Sequence, residues 1–170
     1  MKKNILIVLL SILSCNVFAQ SFDASKVRAG AGLVYATEIG NIGITINGVY
    51  SFSEQWEGAF AYSHIFEKDY VTFNIFDFDA HYVFHQQDER MNFYGIGGLA
   101  ITSTKIEIPA IQLGAFSTPS TSVSDSSVGL NLGVGMNYKL SDKLNLAPEA
   151  RFTIMDGSYF RLGASIQYMF

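Results

Sequence analysis

The last twelve residues, Tyr159 to Phe170, alternate without a break. Phe160, Leu162, Ala164, Ile166, Tyr168 and Phe170 share one face of an extended chain. Tyr159, Arg161, Gly163, Ser165 and Gln167 share the other, because successive side chains of a strand point to opposite sides. One face is apolar along its whole length and ends in aromatics; the other is small, polar or charged. In a soluble sandwich the apolar face turns inward. In a barrel that crosses a membrane it turns out to lipid, and the polar face lines the lumen. The rest of the chain has to decide between these two.

Seven further segments carry strand-like patterning: Val27–Ala36, Asn41–Phe52, Trp56–Phe66, Val71–Phe84, Asn92–Ser103, Val128–Lys139 and Leu144–Ile154. Each is close to the 9–11 residues, roughly, that a tilted strand needs to cross a bilayer, or slightly longer. Val128–Lys139 alternates most cleanly, whereas Phe93–Leu99 is apolar or glycine on both faces. Eight strands make an even number, as a single-chain barrel with both ends on one side of a membrane requires. After residue 14 no apolar run approaches the ~20 residues of a spanning helix. The expectation is one all-β domain, an eight-stranded antiparallel up-and-down transmembrane barrel over residues 20–170.

Residues 1–19 read as a cleaved secretory signal peptide. Lys2 and Lys3 start it, Ile5 to Leu13 form its apolar core, and Val17-Phe18-Ala19 offers a small-residue cleavage site. The core is too short for a membrane anchor. A lipoprotein-type signal ending at Cys15 is the alternative, with Ile12 a poor first position for it. Cleavage after Ala19 removes the one cysteine, so neither a disulfide nor thiol chemistry is expected. Loss of Lys2 and Lys3 also takes the formal charge from −4 to −6. A chain this acidic, with no basic patch, is not expected to bind nucleic acid.

Aromatic residues gather at the strand ends. Tyr50, Phe52, Trp56, Tyr82, Phe84, Phe93, Tyr138, Tyr168 and Phe170 mark one rim, and Tyr35, Phe66, Tyr70, Phe152, Tyr159 and Phe160 the other. Two such girdles are expected where rings meet both acyl chains and headgroups. With the signal segment and the aromatic C-terminus, these features resemble the small eight-stranded outer-membrane barrels, the OmpA transmembrane domain and OmpX group. The resemblance implies a Gram-negative outer membrane, with outer-membrane lipid around the wall and both termini periplasmic. It implies that Gly163, Ile166, Tyr168 and Phe170 form an assembly signal for the barrel assembly machinery, with periplasmic chaperones as further partners during biogenesis. A monomer is expected. Because the last strand ends at Phe170, no peptidoglycan-binding function carries over.

The lumen face of the expected strands collects charges. Arg28, Glu57, Asp77, Asp79, Lys139, Glu149, Arg151 and Arg161 lie on it, with His81 beside them. Charges at the lipid midplane are costly, so they turn inward, and eight strands enclose only enough space for side chains to fill. An ion-pair plug that fills the lumen is expected. By depth, Asp77, Asp79, His81, Glu149, Arg151 and Arg161 share the middle, and Arg28, Glu57 and Lys139 sit at the periplasmic end. A symmetric turn sets Arg151 opposite Arg161; a two-residue slip pairs Glu149 with Arg161 instead.

Enzymatic chemistry finds no support. Ser63 and His64 are adjacent, so a strand points them to opposite faces, and the three histidines are scattered. No metal centre or cofactor is expected. The one long connection, 104–127, is expected to be irregular. Ile106, Ile108, Ile111, Leu113 and Phe116 make its first half apolar, and Ser120–Ser127 reads as a mobile solvated tip. The apolar half is the candidate interaction surface, free to extend the neighbouring strands, fold over the barrel mouth or meet a partner. The expected role is structural, or surface interaction through this loop. The alternatives are a narrow channel or transporter for small solutes, a lipid-modifying barrel enzyme and a soluble periplasmic ligand-binding barrel.

Overall fold

The computed structural model describes residues 23–88, 90–109, 112–113, 116–117 and 120–170. The signal segment 1–19 and Ile111 therefore lie outside the described residues. Alternation becomes strand throughout: β1 (Val27–Ala36), β2 (Asn41–Ser51), β3 (Trp56–Lys68), β4 (Val71–Gln87) and β5 (Met91–Ile108) come first. Two short strands follow, β6 (Gln112–Leu113) and β7 (Phe116–Ser117), then β8 (Thr121–Lys139), β9 (Leu144–Ile154) and β10 (Tyr159–Met169). The eight long strands pair antiparallel in a ring that β10 closes onto β1, from Arg28↔Met169 to Ala36↔Arg161. Both β1's start and β10's end lie at one end of the ring, called here the terminal end. The other is the hairpin end.

The expected loop 104–127 is corrected by the structure. The β5–β8 ladder runs unbroken from Met91↔Tyr138 to Ile108↔Thr121, so Thr121–Ser127 is strand rather than a mobile tip. Serine and threonine read locally as turn formers. A paired neighbour takes up their backbone groups, and cross-strand pairs such as Ile106↔Val123 add apolar contact. Beyond this hairpin Gln112–Leu113 pairs with Phe116–Ser117, which places the backbone of Leu113 and Phe116 side by side. The β3–β4 connection is tighter, with Asp69 and Tyr70 both at positive φ, 51° and 67°. That twist suits a two-residue hairpin, although a ring-bearing side chain seldom adopts it.

The outward face is apolar over the height of the ring. Leu33, Ile44, Phe78, Leu99, Leu132, Val134 and Leu162 all stand exposed. A contiguous belt of this kind exceeds the few hundred Å² that a soluble monomer ordinarily shows. Rings flank it at both rims: Trp56 packs on Tyr82 at 4.9 Å and Phe170 on Tyr168 at 5.3 Å at the terminal end, while Tyr35, Phe66 and Phe152 are exposed toward the hairpin end. Tyr159 leaves the outer girdle assigned to it. It lies inside the barrel, 2% exposed, because it is in phase with Arg161.

Candidate functional site

The alternation that turns apolar side chains out turns the polar ones into the barrel, where they form two layers. Toward the terminal end, Arg28 grips Glu57 with both guanidinium tips, at 2.9 and 2.8 Å. Its Nε donates to Gln167 at 3.1 Å, and the Ser51 hydroxyl donates to Glu57 at 3.1 Å. His81 faces Glu57 from β4 at 3.6 Å, beyond hydrogen-bond length, and lies flat on Tyr94 with ring centroids 4.5 Å apart. Neither ring nitrogen of His81 has a hydrogen-bond partner among the described residues. His81 therefore belongs with Arg28 and Glu57, not with the middle cluster where its depth was expected to put it.

The middle layer is built on Asp77. Arg161 donates to its two oxygens at 2.7 and 2.8 Å, and Arg151 reaches Oδ2 at 3.1 Å. Arg151 also meets Asp79 at 2.9 Å and Glu149 at 2.7 Å. The symmetric turn holds, since Arg151 and Arg161 are Cα partners across β9 and β10. Two like charges tolerate that position because each guanidinium points to carboxylates. Gly133 opposite Arg151 leaves the side chain room to lean across the sheet, with Cγ 3.3 Å from where a Cβ would stand.

Neutral groups complete this layer. Asn131 donates to Asp77 and Asp79 at 2.8 and 2.9 Å, and its own oxygen accepts from Thr153 at 2.9 Å and Arg161 at 3.2 Å. The Tyr94 hydroxyl donates to Glu149 at 2.8 Å, so one ring links both layers. Asn131, Thr153, Gln167 and Tyr94 were missed by a search for charge. Asn131 was visible on the polar face of its strand, and buried carboxylates need neutral donors as well as cations. Tyr94 sat in the segment that is apolar on both faces, so its direction was fixed only by pairing with Val83.

Lys139 does not join the cluster. Its side chain is 42% exposed at the terminal rim and pairs with Asp142 at 3.0 Å, the last strand residue reaching over the following turn. Ser63 and His64 separate as expected. Ser63 faces in and donates to Thr45 at 3.0 Å, while His64 faces out against Asn74.

Toward the hairpin end the interior becomes apolar. Val34, Ala36, Ile65, Phe73, Ile75, Ala100 and Tyr159 form one buried cluster above the charges. Thr102 and Tyr159 close their hydroxyls on each other at 2.7 Å. Phe73 and Ile75 are in phase with Asp77 and Asp79, as Tyr159 is with Arg161, so β4 and β10 each pass from charged to apolar lining along one face. Beside the middle layer remains a space of about 30 Å³ lined by Asn47, Asp77, Glu149, Arg151 and Arg161, room enough for water.

Of the candidate interaction residues, Ile106 and Ile108 stand exposed on the face of β5 that carries Thr102. Ile106 thus lines the mouth of the barrel instead of the belt.

A sequence profile for the outer membrane protein beta-barrel domain matches residues 5–170. No curated protein matches the chain by sequence. Among solved structures, it resembles the N-terminal barrel of Pseudomonas aeruginosa OprF at 14% identity and TM-score 0.63, over 84% of this chain and 96% of that one. Neisserial surface protein A is similar at 17% identity and TM-score 0.61, over 85% and 96%. Ail, the attachment invasion locus protein of Yersinia pestis, is similar at 18% identity and TM-score 0.53, over 83% and 95%.

Proposed function

The chain belongs to the outer membrane protein beta-barrel domain family, and from that premise we propose a monomeric, non-enzymatic outer-membrane barrel with a shut lumen that meets its surroundings through the β5–β8 hairpin. The terminal end faces the periplasm and the hairpin end the outside. Gly163, Ile166, Tyr168 and Phe170 then present the last strand to the assembly machinery from the periplasmic side.

The observation that carries this reading is the unequal height of the ring. β8 pairs with β5 out to Thr121, but its ladder with β9 stops at Leu130↔Ile154. Above that pair, β8 has no ladder partner on this side among the described residues, an edge whose backbone could take another strand. The lumen reading is supported by the two charged layers and the apolar cluster above them, whose buried side chains occupy the interior of the ring. Hydrolytic or transfer chemistry would need a nucleophile within reach of a base, and Ser63 and His64 stand on opposite faces.

The test is photo-crosslinking in living cells. A crosslinking residue at Ser124, on that edge, is expected to give discrete protein adducts, and one at Val134 on the belt only lipid adducts. Joining Ile106 to Val123 by an Asn-Gly turn removes the hairpin tip and should leave the folded fraction in the outer membrane unchanged. Protein adducts from Val134 and none from Ser124 would move the interaction site to the barrel wall.

A further inference from the structure

The hairpin end holds a cup of about 440 Å³, within the range of small-molecule sites. Its floor is apolar and complete. The Phe73 and Tyr159 rings pack at 5.8 Å, and the polar atoms of Tyr159 and Thr102 are spent on each other. Val71, Ile106 and Met155 line the sides, together with Thr104 and Ser127. Ile106 has Val123 as its cross-strand partner on the same face, so the hairpin rises above the cup as an apolar wall. Its opposite face carries Lys105, half-buried, and the exposed Glu107, Ser122 and Ser124.

The rim is predominantly acidic, four carboxylates against one ammonium. Glu38, Asp69, Asp125 and Asp156 all line the cup, and none has an ion-pair partner among the described residues. Lys68 is the one basic residue of the lining, and its ammonium is turned onto the Gly40 carbonyl at 2.9 Å. Carboxylates above low-dielectric walls concentrate a negative potential over the cavity. The apolar floor offers contact but no hydrogen bond. The complement of such a site is a positive charge attached to an apolar body.

We propose that the cup binds small organic cations, a protonated amine or guanidinium carried on an aromatic or aliphatic group, with the apolar part on Phe73 and Tyr159 and the charge among the rim carboxylates. The site goes beyond the proposed surface role, because it uses the inner face of the hairpin and not the edge of β8. Affinity comes from the floor and selectivity from the rim, so charge reversal of the ligand abolishes binding and neutralisation weakens it.

The experiment uses the full mature chain in phospholipid nanodiscs and three matched probes: 1-naphthylmethylammonium, 1-naphthalenemethanol and 1-naphthoate. Backbone NMR shifts are followed as each is added. The ammonium probe is expected to give saturable shifts at Thr102, Asp125 and Met155, the alcohol to bind at least tenfold more weakly, and the naphthoate not to shift these residues. The Asp125→Asn/Asp156→Asn variant changes only exposed positions outside the barrel interior. It should weaken the ammonium probe at least tenfold and leave the alcohol unchanged, and Met155→Trp should block both by filling the cup. Equal binding of the three probes, shifts confined to belt residues such as Leu132, or indifference of the ammonium probe to the double variant would each overturn the proposal.

Discussion

Arg161 and Asp77, 84 residues apart in sequence, join opposite walls of the barrel through two hydrogen bonds of 2.7 and 2.8 Å. β10 and β4 are four strands apart in either direction around the ring, so this pair spans the lumen. Both side chains are almost fully buried. Removing Asp77 leaves Arg161 without a carboxylate among the described residues, and removing Arg161 leaves Asp77 only Arg151 and Asn131, whereas replacing both leaves apolar atoms of similar bulk.

Arg161→Met or Asp77→Leu alone is therefore expected to lower stability by roughly 3–5 kcal/mol. The double variant should cost much less than the two singles together. Urea titration of the protein folded in lipid vesicles measures this. Additive losses would mean that the two residues do not act as a pair.

Gly135 controls the link between the charged layers. A Cβ built there falls on the Tyr94 ring, whose hydroxyl holds Glu149 and whose face supports His81. Gly135→Ala should displace the ring and destabilise by about 1–3 kcal/mol. Gly97→Ala, with nothing within 4 Å of the new methyl, should change little. Most of the Gly135→Ala loss should vanish in a Tyr94→Leu background; its persistence there would place the strain in the backbone.

Fold and site were legible to different degrees. Alternation located the long strands, because lipid outside and polar atoms inside impose period two, and it is weakest in β5, where Phe93–Leu99 is apolar or glycine on both faces. It failed at the hairpin, where both faces meet water: Ser122, Ser124 and Ser126 carry no inside-or-outside signal, and only pairing with β5 makes them strand. Phase placed Arg28, Glu57, Asp77, Asp79, Glu149, Arg151 and Arg161 on the lumen face. Phase says nothing of height, so His81 was set one layer too high and Lys139 was counted inside. The apolar layer is legible in Phe73 and Ile75, in phase with Asp77, but charge alone does not mark it.

The last strand carries a separate prediction. Tyr168 accepts from Lys143 at 3.1 Å, and the Phe170 amide donates to the Val27 carbonyl at 3.3 Å where the ring closes. Phe170→Ala, and more so loss of residues 168–170, should lower the folded fraction in outer-membrane preparations, scored by heat-modifiable migration. Phe170→Ala should still refold into vesicles at close to the normal rate, because the Phe170 ring is largely exposed. Equal defects in cells and in vesicles would make the ring a structural contact and not a signal.

A shut lumen is the claim on which the rest stands, and planar-bilayer recording tests it most directly. Eight strands leave side-chain space only, and here two charged layers and an apolar one occupy it. Purified folded protein inserted at either polarity is expected to show no steady ionic conductance above the bare bilayer. Discrete, reproducible single-channel openings that persist after the hairpin tip is removed would contradict it.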